Sequence, residues 1–346
     1  MKQVHGGYFG GEKHITDFSV NLNPLGMPES VKNAVIADQE SWERYPDPLC
    51  TELVKALAER ENVPAETIVC GGGADDLIFR IVHAFRPSKA VIFAPTFGEY
   101  ARALSENGCS VREHFLREDR DFLPDETFLD DLTADTDMAF ICSPNNPTGQ
   151  IIPARLLEMT AEKCRRNGII LVCDECFLDF AENAEKRSIK RFLNENTVIL
   201  KAFTKIYSMA GLRLGYAVCG SAAVADKIRR SGQYWSVSAT AQTAGLAALK
   251  EHEYLRETVK LVSRERGFLT EGLRSAGLTV FPSAVNFLLF KCFEGLDDRL
   301  LPEGFFIRNC SDYSGLGGGF YRIAVKAHAD NSALIEAIRG LANVKG

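Results

Sequence analysis

The sequence predicts an α/β protein, with a large domain built on a mostly parallel sheet between helices and a small α+β domain after it. Three observations predict this. Between about residues 65 and 220, short apolar runs alternate with amphipathic segments. The runs are apolar at successive positions rather than at alternate ones, the pattern of strands buried on both faces. After residue 236 a long helical stretch gives way to short strand-like segments and a final helix. A chain of 346 residues is long enough to bury the cores of two such domains.

In order along the chain, residues 1–30 are rich in Gly, Asn and Pro and read as an irregular arm that packs with the small domain. Residues 31–235 form the large domain. Its strands are expected at 68–70, 90–93, 138–142, 169–173, 198–200 and 215–219, and its covering helices near 75–86, 98–107, 153–167 and 221–231. Residues 236–346 form the small domain, with one helical stretch over about 240–275, strands at 286–291, 304–308 and 320–326, and a last helix near 331–343.

Composition narrows the function classes. A net charge of −6 gives no basic surface for neutralising nucleic-acid phosphates, although a locally basic pocket for a small anion remains compatible with it. No apolar h-region follows Met1, and no apolar run reaches the ~20 residues of a membrane span. The expectation is a soluble, cytoplasmic protein without nucleic-acid or membrane partners. The ten cysteines are scattered, and only Cys173-Asp174-Glu175-Cys176 is a tight pair. With no matching second pair, a metal site is not expected, and the cysteines read as reduced core residues.

Four segments carry chemistry. In Ala202-Phe203-Thr204-Lys205, a lysine just past an apolar strand can form a Schiff base with a cofactor aldehyde, and Arg213, eight residues on, can clamp a phosphate with its planar fork. A surface lysine on a loop would read the same way in isolation. Ser143-Pro144-Asn145-Asn146-Pro147-Thr148-Gly149 follows a strand, where sheet crevices bind ligands, and its prolines could aim an asparagine amide. A plain turn has the same composition. Asp174 ends another strand, where a carboxylate is costly without a cation such as a protonated pyridine nitrogen. It could equally cap the next element. Gly71-Gly72-Gly73-Ala74-Asp75-Asp76 joins a strand to a helix, whose first N–H groups can hold a phosphate. It is not GxGxxG, which disfavours a nicotinamide dehydrogenase.

On these residues the chain resembles the fold type I, aspartate-aminotransferase-like enzymes that use pyridoxal 5′-phosphate (PLP), over nearly its whole length. The resemblance implies a seven-stranded sheet in the large, PLP-binding domain and a homodimer. It also implies roles. Lys205 would hold PLP and later move protons, Asp174 would pair with the pyridine nitrogen, and Asn146 would donate to the ring 3′-oxygen. Phe97 would stack on the ring. Gly73, Ala74 and Asp75, through their N–H groups, would surround the cofactor phosphate with Thr204 and Arg213, and Tyr45 would reach it from the partner subunit. Two positions depart from the commoner pattern: Ala202 stands where a phosphate-binding Ser or Thr is frequent, and Phe177 where a Tyr often bonds the 3′-oxygen.

Within those enzymes the chain looks most like the threonine-phosphate decarboxylases of cobalamin biosynthesis, with histidinol-phosphate aminotransferases as near relatives. The opening His5-Gly6-Gly7, the segment Asp17–Gly26 and the loop Ser311–Gly319 carry that likeness. It implies that His5, the Gly6 backbone and Asn21 contact the substrate, that Arg322 pairs with its α-carboxylate and that Arg308 binds its phosphate. The expected reaction is therefore loss of CO2 from L-threonine O-3-phosphate, giving (R)-1-amino-2-propanol phosphate. A histidinol-phosphate aminotransferase remains the alternative, and a non-catalytic PLP-binding protein is disfavoured by Lys205.

Overall fold

The computed structural model describes residues 6–8 and 14–343. Among them thirteen strands form three sheets. In chain order these are β1 (Thr16–Asp17), β2 (Ile68–Gly71), β3 (Lys89–Ala94), β4 (Ser110–Phe115), β5 (Met138–Cys142), β6 (Ile170–Asp174), β7 (Thr197–Ala202) and β8 (Gly215–Cys219). There follow β9 (Thr279–Val280), β10 (Phe287–Lys291), β11 (Phe305–Phe306), β12 (Arg308–Asn309) and β13 (Phe320–Ala324).

The large sheet has seven strands in the order β2-β8-β7-β6-β5-β3-β4. All its pairs are parallel except the two made by β8, which runs against both neighbours. The six expected apolar runs all lie in it. Successive residues of these strands feed opposite cores. Val91, Phe93, Ala139, Ile141 and Leu171 enter one, and Ala90, Ile92, Met138, Phe140 and Val172 the other. The helix Ala154–Asn167 closes the first face through Leu156, Leu157, Ala161 and Cys164, then stops at Gly168, whose φ of 70° reverses the chain. The helices Ala74–Phe85, Glu99–Glu106 and Ala222–Arg230 close the second. β4 lies outside the expected runs. It is an edge strand whose sequence SVREHF is mostly polar and partly exposed, so it shows no apolar signal.

The helical stretch expected over 240–275 is two helices, Ala239–Ala248 and His252–Ser275. The first is made largely of small residues and lies close on its neighbours; a side chain at Gly245 would come within 2.7 Å of Leu214 and 3.0 Å of Leu53. The second is amphipathic and buries Val262, Leu269 and Leu273. The two helices pack on different partners, the first on the helices Glu29–Ala37 and Thr51–Glu61 and the second on His328–Asn343.

The small domain is a four-stranded antiparallel sheet, β12-β13-β10-β9, closed by His252–Ser275 and the final helix His328–Asn343. The strand expected at 304–308 is divided into β11 and β12 by the buried Ile307. β1 pairs in parallel with β11, and Phe18 enters the small domain's core.

Strand direction assembles the site. The carboxyl ends of β3, β5, β6 and β7 share one edge of the large sheet. Because β8 is antiparallel to both β7 and β2, the end of β2 and the start of β8 reach that same edge. Gly71 and Ala202 both register with Gly215, and Asp174 registers with Cys142 and Leu200. Ligands of open α/β sheets bind at such an edge.

Candidate active site

A cleft of about 250 Å³ opens at this edge, between the large sheet and the small domain. Gly6, Asn21, Ala74, Asp75, Phe97, Asn146, Asp174, Thr204, Lys205, Arg213, Arg308 and Arg322 all line it. Three expected residues stand apart. Gly73 sits just behind the lining, against Arg213. Tyr45 is elsewhere, 80% exposed and stacked on Trp235 at 4.3 Å. His5 lies outside the described residues.

Lys205 follows β7 in a single helical turn, Phe203–Ile206. The N-terminal segment braces this turn. Asn23 N–H donates to the Lys205 carbonyl at 3.1 Å, and its Nδ2 donates to the Ile206 carbonyl and to Thr258 Oγ1, each at 2.7 Å. Burial, reinforced by the positive charges of Arg322 and Arg213, lowers the Lys205 ammonium to about 8. A neutral amine, the form that attacks an aldehyde, is therefore accessible near physiological pH.

Asp174 is buried with both oxygens occupied. Oδ1 accepts from the Cys176 N–H at 2.9 Å, and Oδ2 accepts from the Tyr100 hydroxyl at 2.6 Å. Burial and the adjacent carboxylate push the Tyr100 phenol up, so it stays a donor at physiological pH. Tyr100 is invisible to the motif reading. Its helix, Glu99–Glu106, aims it from the second core, where it stacks on Phe140 at 5.1 Å. Phe97 meets Tyr100 edge-on at 5.6 Å.

At the other end of the cleft the helix Ala74–Phe85 begins, and its first N–H groups have no intrahelical acceptor. Gly73, at φ 101°, turns the chain into this helix, and a side chain there would lie 2.7 Å from Arg213 Nη2. A side chain at Gly215 would strike the Ala74 nitrogen, also at 2.7 Å. Only glycine lets Arg213 and the helix start approach one another this closely. Thr204 is buried beside them.

The small domain contributes two arginines. Arg308 and Arg322 are direct cross-strand partners on β12 and β13, hence on one face of the sheet. Arg322 is buried. Its Nη1 donates to Asn146 Oδ1, its Nη2 donates to the Ser19 carbonyl at 2.7 Å, and its Nε has no partner. Gly6 rests against that same Ser19, where a side chain would come within 2.4 Å of the carbonyl, and the Gly7 N–H donates to Ser19 Oγ at 2.7 Å. Ser19 and Tyr313 also line the cleft and were missed by the motif reading, because only the arm's path and the loop after β12 bring them there.

These residues fit PLP. The helix start, Thr204 and Arg213 would hold its phosphate, Lys205 would meet its aldehyde, Asp174 its ring nitrogen and Phe97 its ring face. Asn21 Oδ1 and Arg322 Nε, both buried without hydrogen-bond partners, mark a polar region that a ligand would complete. Ala202 and Phe177 line the cleft as well, so the two departures from the commoner pattern fall where a cofactor would lie.

A family model, aminotransferase class I and II, matches residues 13–341. The chain belongs to that family. Like the other members, it is a PLP-dependent enzyme. It is 38% identical to the threonine-phosphate decarboxylase of Salmonella typhimurium, over 94% of this chain and 91% of that one. It is 34% identical to a histidinol-phosphate aminotransferase of Oleidesulfovibrio alaskensis, over 88% of this chain and 82% of that one. The structure of histidinol-phosphate aminotransferase from Sinorhizobium meliloti in complex with PLP has the same fold, with a TM-score of 0.86 at 23% identity, over 94% of this chain and 90% of that one. Among the described residues, no helix is long and apolar enough to cross a membrane.

Proposed function

We propose that this protein decarboxylates L-threonine O-3-phosphate to (R)-1-amino-2-propanol phosphate and CO2, in cobalamin biosynthesis. The observation that carries this reading is the register of Arg308 with Arg322. The register brings two guanidiniums to one face of the small sheet, and both line the cleft. A substrate with a carboxylate at one end and a phosphate at the other matches the two guanidiniums in charge. The likeness to the Salmonella decarboxylase supports the same reading.

PLP, when bound, supplies an electron sink for the bond broken at the substrate's α-carbon. The protein's part is positioning and proton transfer. Arg322 would grip the α-carboxylate with a planar fork, and Arg308 the phosphate. Holding both ends fixes the rotation about the α-carbon, which decides whether the carboxylate or the α-hydrogen leaves. Asn146, oriented by Arg322 through its Oδ1, would present its amide nitrogen to the cofactor's 3′-oxygen. Lys205 Nζ would deliver a proton to the α-carbon after CO2 departs. The N-terminal segment, with Gly6 and Asn21, would cover the substrate and exclude water, and His5 would contact it.

The test is CO2 release from L-threonine O-3-phosphate by the purified protein with PLP. Unphosphorylated L-threonine offers Arg308 no phosphate, and kcat/KM should fall roughly 100-fold or more, as expected for losing a charge-assisted contact at a mostly buried guanidinium. Equal kcat/KM for the two would remove Arg308 from substrate recognition.

We further propose a homodimer in which Tyr45 reaches the partner subunit's cofactor phosphate. Tyr45, Trp42, Leu49, Tyr234 and Trp235 are 48–80% exposed, and large exposed apolar groups of this kind mark a protein interface. Light scattering should give twice the chain mass of 38.2 kDa. A single-chain mass at micromolar concentration would contradict it.

A further inference from the structure

Arg308 stands in the wall between two cavities. On one side is the cleft that holds Lys205, and on the other a smaller cavity of about 180 Å³ bounded by Asp312, Ser314 and Glu113. The guanidinium is engaged toward the second. Nη2 donates to Asp312 Oδ2 at 2.7 Å, Nη1 donates to the Asn309 carbonyl, and the group lies 5.2 Å from the centre of the Tyr313 ring. Asp312 lines only the second cavity, whereas Arg308 lines both.

The two members of this ion pair are unequal. The Arg308 side chain is 11% exposed and that of Asp312 is 37% exposed. A released Asp312 carboxylate turns into water at small cost, while a released Arg308 stays largely buried and is stabilised by a second anion. Two residues further on, Ser314 Oγ donates to Glu113 Oε2 at 2.6 Å, which ties the loop to β4. The exchange therefore requires a side-chain rotation at Asp312 and not a displacement of the loop.

We propose that Asp312 is a resident anion that occupies Arg308 in the absence of substrate, and that the substrate's phosphate must displace it. The inference rests on the assignment of the phosphate to Arg308. Asp312 then keeps a buried guanidinium paired, and it sets the substrate affinity through competition. A phosphate carries nearly two charges and three acceptor oxygens against one carboxylate, and so it wins the exchange. A ligand that does not use Arg308 is unaffected by Asp312. Asp312 is in this sense a specificity-determining residue that acts through Arg308.

The experiment compares Asp312→Asn and Asp312→Glu with the unaltered holoenzyme. It measures KM and kcat for L-threonine O-3-phosphate, the Kd of inorganic phosphate by calorimetry, and the inhibition constant of unphosphorylated L-threonine. Competition predicts that D312N lowers KM for the phosphorylated substrate and the Kd of phosphate by the same factor, about three- to fivefold for a partly exposed pair. It leaves kcat and the threonine constant within twofold, and D312E restores the unaltered values. A KM that rises or stays the same in D312N, or a threonine constant that falls in step, overturns the proposal. Arg308→Ala separates the two levels. If R308A leaves KM for the phosphorylated substrate unchanged, the assignment of phosphate to Arg308 fails and the competition falls with it. If R308A raises KM while D312N does not lower it, only the competition is overturned.

Discussion

Replacing Lys205 by alanine should abolish turnover, with kcat lower by at least ~10⁴-fold, because the general acid–base contribution of the amine is lost together with its attachment to the cofactor. Among the described residues, no other lysine lines the cleft to substitute for it. The same residue predicts a pH dependence. Its amine is held at about 8, so the rate at which the apo-protein takes up PLP should rise through that pH and then level off. The sign for stability follows from the same shift. An unfolded lysine titrates near 10.5, so between about 8 and 10.5 the unfolded chain holds the extra proton. The stability of the apo-protein should therefore increase with pH across that window, and the destabilisation is complete below it. Lys205→Met, which removes the buried charge, should make the apo-protein more stable at neutral pH by about 1–3 kcal/mol. Denaturant titration reads this, and a less stable variant would show that Lys205 is not under a desolvation penalty.

Arg322→Ala should have the second largest effect, a loss in kcat/KM of roughly 10²–10³-fold. Three consequences meet at this residue. The substrate's carboxylate loses its fork, Asn146 loses the donor that orients its amide, and Lys205 loses a neighbouring positive charge that lowers its pKa. The third consequence distinguishes this role from simple structural damage. The pH at which PLP uptake rises should move upward in R322A, toward the ordinary lysine value. Arg322→Lys should not restore activity, because an ammonium is a point donor and cannot give the carboxylate a planar two-donor fork while holding Asn146 and the Ser19 carbonyl. A variant with near-normal kcat/KM would exclude Arg322 from carboxylate binding.

The parts of this site that can be read from sequence are those tied to buried strands. Asp174 and Lys205 each follow an apolar run, and an apolar run both identifies a strand and locates its carboxyl end, where β6 and β7 deliver the two residues. Arg213 and Gly73 follow from the same logic at β8 and β2. What is hidden depends on longer-range geometry. The Tyr100 hydroxyl reaches Asp174 only because of how one short helix is rotated against the sheet, which the spacing of Pro95 and Phe97 does not reveal. The pairing of Arg308 with Arg322 depends on the register of a two-residue strand, too short to carry any periodic signal. Ser19 is a small polar residue in an irregular segment, and its role appears only once the arm lies against β13. The edge strand β4 and the break before His252 were obscured for a related reason. A partly exposed strand lacks the apolar run of a buried one, and two consecutive helices share one periodicity in sequence until their partners are known.

The most direct test of the whole reading is the fate of the substrate's carboxyl carbon. The PLP-loaded protein would be given L-threonine O-3-phosphate labelled in its carboxyl group, and in parallel histidinol phosphate with 2-oxoglutarate. The account predicts labelled CO2 from the first, absent in Lys205→Ala, and no glutamate from the second. Glutamate formation without CO2 would contradict it, and would mean that the two facing arginines hold a substrate for transamination.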